Sequence, residues 1–84
     1  MVPTLVRSGP YRFFIVLYDC AERMHVHASG GSRGAAKLWL EPEVEVAAAK
    51  GYTRRQLGQL ESVAREHQQM LIRRWIEECE GSQG

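Results

Sequence analysis

Two histidines, His25 and His27, stand two positions apart in the segment MHVHASGG. Imidazole titrates near neutral pH, so such residues commonly transfer protons, bind metals or form hydrogen bonds with a partner. Side chains alternate across a β-strand, and therefore both imidazoles lie on one face if this segment is a strand. The spacing predicts a small cluster of polar and titratable groups whose chemistry depends on its neighbours.

A hairpin supplies those neighbours. The loop at residues 29–34 is rich in glycine and serine, and it separates two short segments, residues 24–28 and 35–41, in which polar residues alternate with apolar ones. Two such segments joined by a glycine-containing loop are typical of a β-hairpin. Pro42 ends the second strand, because proline cannot donate a hydrogen bond to a neighbouring strand.

Only one register of this hairpin places apolar side chains against apolar side chains. It sets His27 opposite Lys37 and His25 opposite Trp39, with Glu41 at the same parity as Lys37 and Trp39. Opposite side chains in such a pair lie about 5 Å apart. The sequence therefore predicts two imidazoles, an ammonium group, an indole and a carboxylate along one side of the hairpin.

We favour protein binding as the use of this face, because aromatic and amphipathic side chains dominate interface hot spots. The hairpin loop also carries Arg33, which together with the loop backbone N–H groups could hold a phosphate, although the loop matches no phosphate-binding motif and a flexible loop is the simpler interpretation. The predicted binding residues are His25, His27, Lys37, Trp39 and Arg33.

Catalysis is the first alternative. A histidine beside a lysine and a carboxylate can act as general acid or base in metal-independent RNA cleavage. The residues for such a ribonuclease are His25, His27, Lys37 and Glu41. The sequence favours a protein that is not an enzyme, but it leaves this question open.

Metal binding is the second alternative, with His25, His27 and Cys20 as ligands. A lone His-x-His is weak evidence, because strong zinc signatures carry four ligands at paired spacings. We therefore predict no metal and no other cofactor.

Composition and charge limit the classes of protein to which this chain can belong. The 84 residues suffice for a single domain over residues 1–84, with 44% hydrophobic and 25% charged residues. The net charge of +1 and the pI of about 7.8 do not favour nucleic-acid binding, which usually accompanies a strongly basic domain. No apolar run is long enough to span a membrane, so we expect a cytoplasmic protein. Cys20 and Cys79 are then expected to be free thiols, although the sequence does not exclude their pairing.

The periodicity predicts an α+β domain in which an antiparallel sheet of four to five short strands packs against one long C-terminal helix. The strands fall within residues 4–49. Four of them are expected at residues 4–7, 11–18, 24–28 and 35–41, whereas residues 44–49 fit either an edge strand or a helix. The helix is expected at about residues 54–79, followed by a frayed tail at residues 81–84.

Three features of the helix carry further expectations. Thr53 and Gln56 fit a capping box at its start. Gly58 indicates close approach to a neighbouring backbone, since glycine costs about 1 kcal/mol within a helix.

The predicted length of the helix is the third feature. At 1.5 Å per residue the helix would be about 39 Å long, which exceeds the expected domain diameter of about 30 Å. An overhanging end with Trp75 and Ile76 would need a cover, and this predicts a homodimer or a protein partner.

The segments PTLVRSGPYRFF, HVHASGG, AAKLWLEP and GYTRRQLGQLESVAREHQQMLIRRW resemble successive blocks of a small bacterial and archaeal family, the domain of unknown function family 4160. The most specific parts are the His-x-His strand and the Lys-x-Trp-Leu-Glu-Pro strand. Members often carry prolines just before the His-x-His, where this chain has Arg23 and Met24.

The resemblance implies a partner. Some similar proteins are encoded beside a second small protein, in an arrangement like a toxin–antitoxin pair. The family therefore points to a regulatory module of a toxin–antitoxin or mobile-element system that contacts a protein encoded by an adjacent gene, including as an inhibitor of a larger complex. It supplies no catalytic residues.

Overall fold

The computed structural model describes residues 4–16 and 20–81, which form a five-stranded antiparallel sheet and two helices. This confirms the predicted α+β class. Each strand pairs with the next one along the chain. The elements are β1 Thr4–Ser8, β2 Tyr11–Phe14, β3 His25–Gly30, β4 Ala35–Trp39, β5 Glu45–Lys50, α1 Arg54–Glu66 and α2 Gln68–Gly81.

The strand boundaries differ from expectation at two places. β2 ends at Phe14, although the aromatic and β-branched pattern predicted a strand as far as residue 18. Residues 17 and 18 of that predicted strand lie outside the described residues. The ambiguous segment at residues 44–49 forms the edge strand β5, which pairs with β4 through Val46 and Leu38. Pairing with β4 thus outweighs the helical propensity of its alanines.

One face of the sheet packs against the helices and forms the core. Alternate residues of β2, β3 and β4 point to this face, and α1 and α2 contribute apolar residues from a stripe at helical spacing. The buried cluster is Val6, Tyr11, Phe13, Val26, Ala28, Ala36, Leu38, Leu40, Val44, Leu60, Ala64 and Leu71. The apolar face of the hairpin and the apolar residues of both helices therefore meet in one core.

The prediction of one long helix was wrong in detail, because the helical segment breaks at His67. His67 has φ −108° and ψ 15°, and its ring Nδ1 lies 3.0 Å from the Val63 carbonyl oxygen. Next to it, the Gln68 side chain donates a hydrogen bond of 2.7 Å to the Leu40 carbonyl oxygen at the end of β4. The one helix that was expected is therefore two helices of 13 and 14 residues.

The expected overhang was also wrong. After the break, α2 packs its last turns on its own chain, where Trp75 and Cys79 form a second buried cluster with Ile15. Cys79 is disulfide-bonded to Cys20, with the two Cα atoms 5.7 Å apart. The expectation of two free thiols is therefore corrected, since the fold brings the loop before β3 against the last turns of α2. The overhang no longer provides a reason for a homodimer.

The predicted capping box is confirmed. The Gln56 backbone N–H donates to the Thr53 hydroxyl, and the Thr53 backbone N–H donates to the Gln56 side chain. The expectation for Gly58 was wrong, because no described residue beyond its own helical turn lies within 4 Å of where a Cβ would stand. Within residues 4–16 and 20–81, no helix is long and apolar enough to cross a membrane.

Candidate functional site

The sheet face that points away from the core carries the predicted site. The register is the one expected, with His25 opposite Trp39 and His27 opposite Lys37. On the neighbouring strand Phe14 pairs with His27, so β2 contributes to the same face. We call this surface the outer face and define it by Arg12, Phe14, His25, His27, Lys37 and Trp39.

Aromatic rings form a continuous row across the outer face. The His27 ring stacks on Phe14, with centroids 5.7 Å apart and planes 18° apart. His25 lies edge-on to His27 at 5.0 Å and edge-on to Trp39 at 6.0 Å. These geometries are the ones that favour ring pairs. These ring contacts therefore hold the side chains of the row in defined positions.

Cationic groups lie directly on this row. The Arg12 guanidinium stands 5.0 Å from the centre of the Phe14 ring. The Arg23 guanidinium and the Lys37 ammonium stand 4.9 and 5.0 Å from the Trp39 ring. Each such contact contributes roughly 0.5–1 kcal/mol when exposed. The outer face is thus both aromatic and positively charged.

Two further contacts orient the cations. Lys37 forms an ion pair with Glu22, which lies in the loop before β3. Arg23 donates hydrogen bonds from Nε, at 2.8 Å, and from Nη2 to the Glu41 backbone carbonyl oxygen. The loop before β3 therefore positions both cations that flank Trp39. Sequence reasoning did not assign Glu22 or Arg23, because nothing in their spacing relates them to β4.

The two histidines differ in accessibility. His25 is completely buried, because Trp75 of α2 covers it with ring centroids 4.9 Å apart. Its Nδ1 lies 2.8 Å from the Arg23 carbonyl oxygen. His27 and Trp39 are only partly buried. The three side chains therefore share one face as predicted, but α2 seals His25, which corrects its prediction as an accessible binding residue.

Because His25 is buried, only one of the two histidines is available to the ribonuclease hypothesis. A buried His25 cannot reach a substrate while α2 is in place, whereas His27 and Lys37 remain accessible from the outer face. Glu41 lies after the end of β4 and is exposed, and its backbone carbonyl rather than its carboxylate takes the Arg23 hydrogen bonds. Of the four predicted catalytic residues, only His27 and Lys37 form an accessible pair.

The metal alternative loses its third ligand. Cys20 is bonded to Cys79, and a disulfide sulfur does not bind metal as a thiolate does. Among the residues that the structure describes, no cluster of three or more His, Cys, Asp or Glu side chains could hold a metal ion. The structure therefore offers no described site for the predicted His25, His27 and Cys20 set.

A shallow basin of about 280 Å³ extends the outer face toward β5. Its walls carry His27, Lys37 and Lys50, and alanines of β4 and β5 form its floor. Lys50 was missed, because the sequence left β5 ambiguous between strand and helix. Arg12 and Phe14 were missed as well, although the alternation of residues 11–14 could have placed them opposite the buried Tyr11 and Phe13.

The remaining predicted binding residue, Arg33, is exposed in the loop between β3 and β4. This loop follows the pair Ser29 and Ala35, at the end of the hairpin away from His25 and Trp39. Arg33 therefore lies beside the basin end of the outer face rather than at the aromatic row.

Comparison with known proteins identifies a family and no further relative. The family DUF4160, described as a domain of unknown function, matches residues 11–76. The matched range includes β2 to β5, all of α1 and the first part of α2 with Trp75. No curated protein and no solved structure matches the chain significantly.

Proposed function

The chain belongs to the DUF4160 family of domains of unknown function, and from that premise we propose that it is a small binding module for an acidic protein partner. The outer face is the docking surface. We assign the module to a cytoplasmic toxin–antitoxin or mobile-element system, with the partner encoded by an adjacent gene. This assignment follows the arrangement implied by the family resemblance.

The observation that carries the proposal is the fixed row of aromatic rings on a sheet face that α1 leaves open. Trp39 and His27 are partly exposed, and the neighbouring rings and cations hold them in place. Rigid aromatic side chains lose little conformational entropy on binding, which is why they dominate interface hot spots. Trp39 is therefore the expected anchor of the interface.

Charge selects the kind of partner. Arg12, Lys37 and Lys50 stand on the outer face or its basin, and Glu45 is the carboxylate paired with Trp39 across β4 and β5. Glu22, which pairs with Lys37, and Glu45 offset part of this charge, but with Arg23 the cations named on this surface number four. Complementary charge raises association rates and excludes unsuitable partners. A protein surface rich in Asp and Glu fits this face best.

The test uses the product of the reading frame next to the gene for this chain. Both proteins are purified, and their affinity is measured by titration calorimetry. Replacing Trp39 by Ala should weaken binding by about 100-fold, as expected for a hot-spot residue. Ile76→Ala is the matched control, since it truncates an exposed apolar side chain that lies on α2 and not on the outer face. It should change affinity by less than about threefold.

Three results would contradict the proposal. The first is the absence of binding to the adjacent product, and the second is equal affinity of the Trp39→Ala variant and the unmodified chain. The third is tighter binding of a mixed-sequence single-stranded RNA than of the protein, which would make the same aromatic and basic face a nucleic-acid surface.

A metal-independent ribonuclease is the second candidate, favoured by the direct pairing of His27 with Lys37 on the accessible part of the outer face. His27 would transfer the proton, and Lys37 would stabilise the charge on the phosphate. Its test is RNA cleavage in the presence of a chelator. The His27→Ala variant should lose about 100-fold or more in rate while its circular dichroism is unchanged. Equal rates for the two proteins would eliminate this candidate.

A further inference from the structure

We propose that the Cys20–Cys79 disulfide is a redox-controlled latch that holds Trp75 over His25, so that reduction uncovers the buried end of the outer face. The bond connects the loop before β3 with the last turns of α2, which are 59 positions apart in the chain. The use of this latch in partner binding rests on the proposed function. The latch itself is a property of the chain alone and can be tested without a partner.

The disulfide and the cover belong to one structural unit. Trp75 and Cys79 are four residues apart and therefore lie on the same side of α2, one turn from each other. Both are buried in the second cluster, with Cys20 and Met24 packed at its edge. A covalent bond at Cys79 thus fixes the helical turn that places the Trp75 ring on His25.

The rest of α2 does not depend on this bond. The first turn is anchored by Leu71 in the main core and by the hydrogen bond from Gln68 to the Leu40 carbonyl oxygen. The break at His67 separates α2 from α1, so movement of the last turns need not disturb α1. Reduction is therefore expected to release α2 beyond Leu71 and to leave the sheet and α1 folded.

The last turns of α2 are intrinsically unfavourable as a helix. The final turn contains no basic residue, whereas Glu77, Glu78 and Glu80 lie near the negative end of the helix macrodipole. The ion pair of Arg74 with Glu78 offsets part of this cost. A helix end with such charges relies on tertiary anchors, and the disulfide is the covalent one.

The exchange reaction requires an external dithiol as the reductant. Cys20 is partly exposed and Cys79 is buried, so a thiolate of the dithiol attacks the Cys20 sulfur and Cys79 leaves as a thiolate. The second thiolate of the dithiol then displaces Cys20 from the mixed disulfide. The two protons of the dithiol end on Cys20 and Cys79, and the reductant becomes a disulfide.

Trp75 itself reports the state of the latch. In a Trp39→Phe background Trp75 is the remaining tryptophan, and its fluorescence is measured with and without dithiothreitol. Reduction should shift the emission to longer wavelength, because the ring moves from the second cluster into water. Amide hydrogen exchange of α2 beyond Leu71 should accelerate by about tenfold or more, while exchange in β3 and β4 stays unchanged.

A double variant provides the control. Cys20→Ser with Cys79→Ser should reproduce the reduced spectrum and exchange pattern, and dithiothreitol should have no effect on it. Unchanged emission and exchange after reduction would overturn the proposal, because packing alone would then hold the cover. Equal acceleration in β3, β4 and α2 would overturn it as well, because the bond would then stabilise the whole fold.

Partner binding gives a separate result. If the latch opens and the proposed interface is correct, the affinity for the adjacent-gene product differs between oxidised and reduced chain. An open latch with no binding in either state would contradict the proposed function and leave the latch established. Fluorescence that does not respond to reduction, with binding lost in Trp39→Ala, would contradict only the latch.

Discussion

The two faces of the sheet differ although the same strands build them. On β4, Leu38 is completely buried against α1, while its neighbour Lys37 is partly exposed on the outer face. On β3, Val26 and His27 show the same contrast. Alternation along a strand determines which side chain points to which face, but the helices determine which face is covered. Stability therefore concentrates on one face, and the other face carries the polar and aromatic groups of the proposed docking surface.

His25 is an exception to this difference between the buried face and the outer face. It belongs to the outer face by register, yet it is as buried as Leu38 because α2 reaches around the end of the sheet. The outer face consequently has a covered end at His25 and an open end at His27 and the basin. The following predictions test how the covered and the open positions of the chain contribute to its stability.

The largest effect is expected from Leu38→Ala. Removing a fully buried leucine leaves a cavity and should lower the free energy of unfolding by about 2–5 kcal/mol, measured by urea denaturation. Lys37→Ala is the matched control on the same strand. It removes a partly exposed ion pair with Glu22 and should cost less than about 1 kcal/mol. Equal losses would show that the two faces contribute alike to stability.

The histidines provide the second test. His25→Ala removes a buried ring in contact with Trp75 and leaves the Arg23 carbonyl oxygen without its partner, so it should cost about 1–3 kcal/mol. His27→Ala removes a partly exposed ring stacked on Phe14 and should cost about 1 kcal/mol or less. Denaturation of the two variants under identical oxidising conditions decides between them. A larger loss for His27 would contradict the assignment of His25 to a covered end.

Tyr52 gives a pH-dependent test on the core side. Burial raises the pKa of its phenol, and the nearby Tyr11 raises it further. The Tyr52 hydroxyl also donates a hydrogen bond of 2.8 Å to the Gly30 carbonyl oxygen. The pKa of Tyr52 in the folded chain lies above the unfolded value of 10.0. The contribution of Tyr52 to the free energy of unfolding is therefore complete below pH 10.0 and is lost as the pH rises through the folded pKa.

The measurement is urea denaturation between neutral pH and the alkaline range, compared with Tyr52→Phe. The variant should lose about 1 kcal/mol near neutral pH because the hydrogen bond is gone. The difference between the two proteins should then shrink as the pH rises above the unfolded pKa. A difference that grows with pH would contradict the direction of the shift.

The smallest effect is expected at Gly58, on the exposed side of α1. Since its neighbourhood offers space for a methyl group, Gly58→Ala should raise the free energy of unfolding by about 0.5–1 kcal/mol. Gly34→Ala is the contrasting control, because its Cβ would stand 2.5 Å from the Tyr52 ring and should destabilise the chain. Thermal denaturation measures both changes.

Much of the site geometry could be predicted from local pattern. The alternation of β3 and β4 gave the correct register, because only one pairing places Val26 and Leu38 on the same buried face. The capping box at Thr53 followed from residue spacing in the same way. These features depend on neighbours within one element or one hairpin, and their signals are present in the sequence.

Other features required contacts between distant segments. The hydrogen bond of Gln68 to Leu40 accompanies the break at His67, and no spacing within the helical segment indicates it. Arg23 and Glu22 reach Trp39 and Lys37 only because the loop before β3 lies beside the end of β4. The expectation of free thiols rested on a compartment, whereas the pairing of Cys20 with Cys79 depends on where α2 ends.

The sequence by itself determined the α+β class, the pairing of His25 with Trp39 and of His27 with Lys37, and the face that these side chains share. Side-chain alternation and the burial of apolar residues are sufficient to fix those features. Only the tertiary structure decided which part of that face is open, because Trp75 covers His25 from an element 50 residues further along the chain. Coverage depends on how α2 packs after its break, and local periodicity does not encode the direction of that packing.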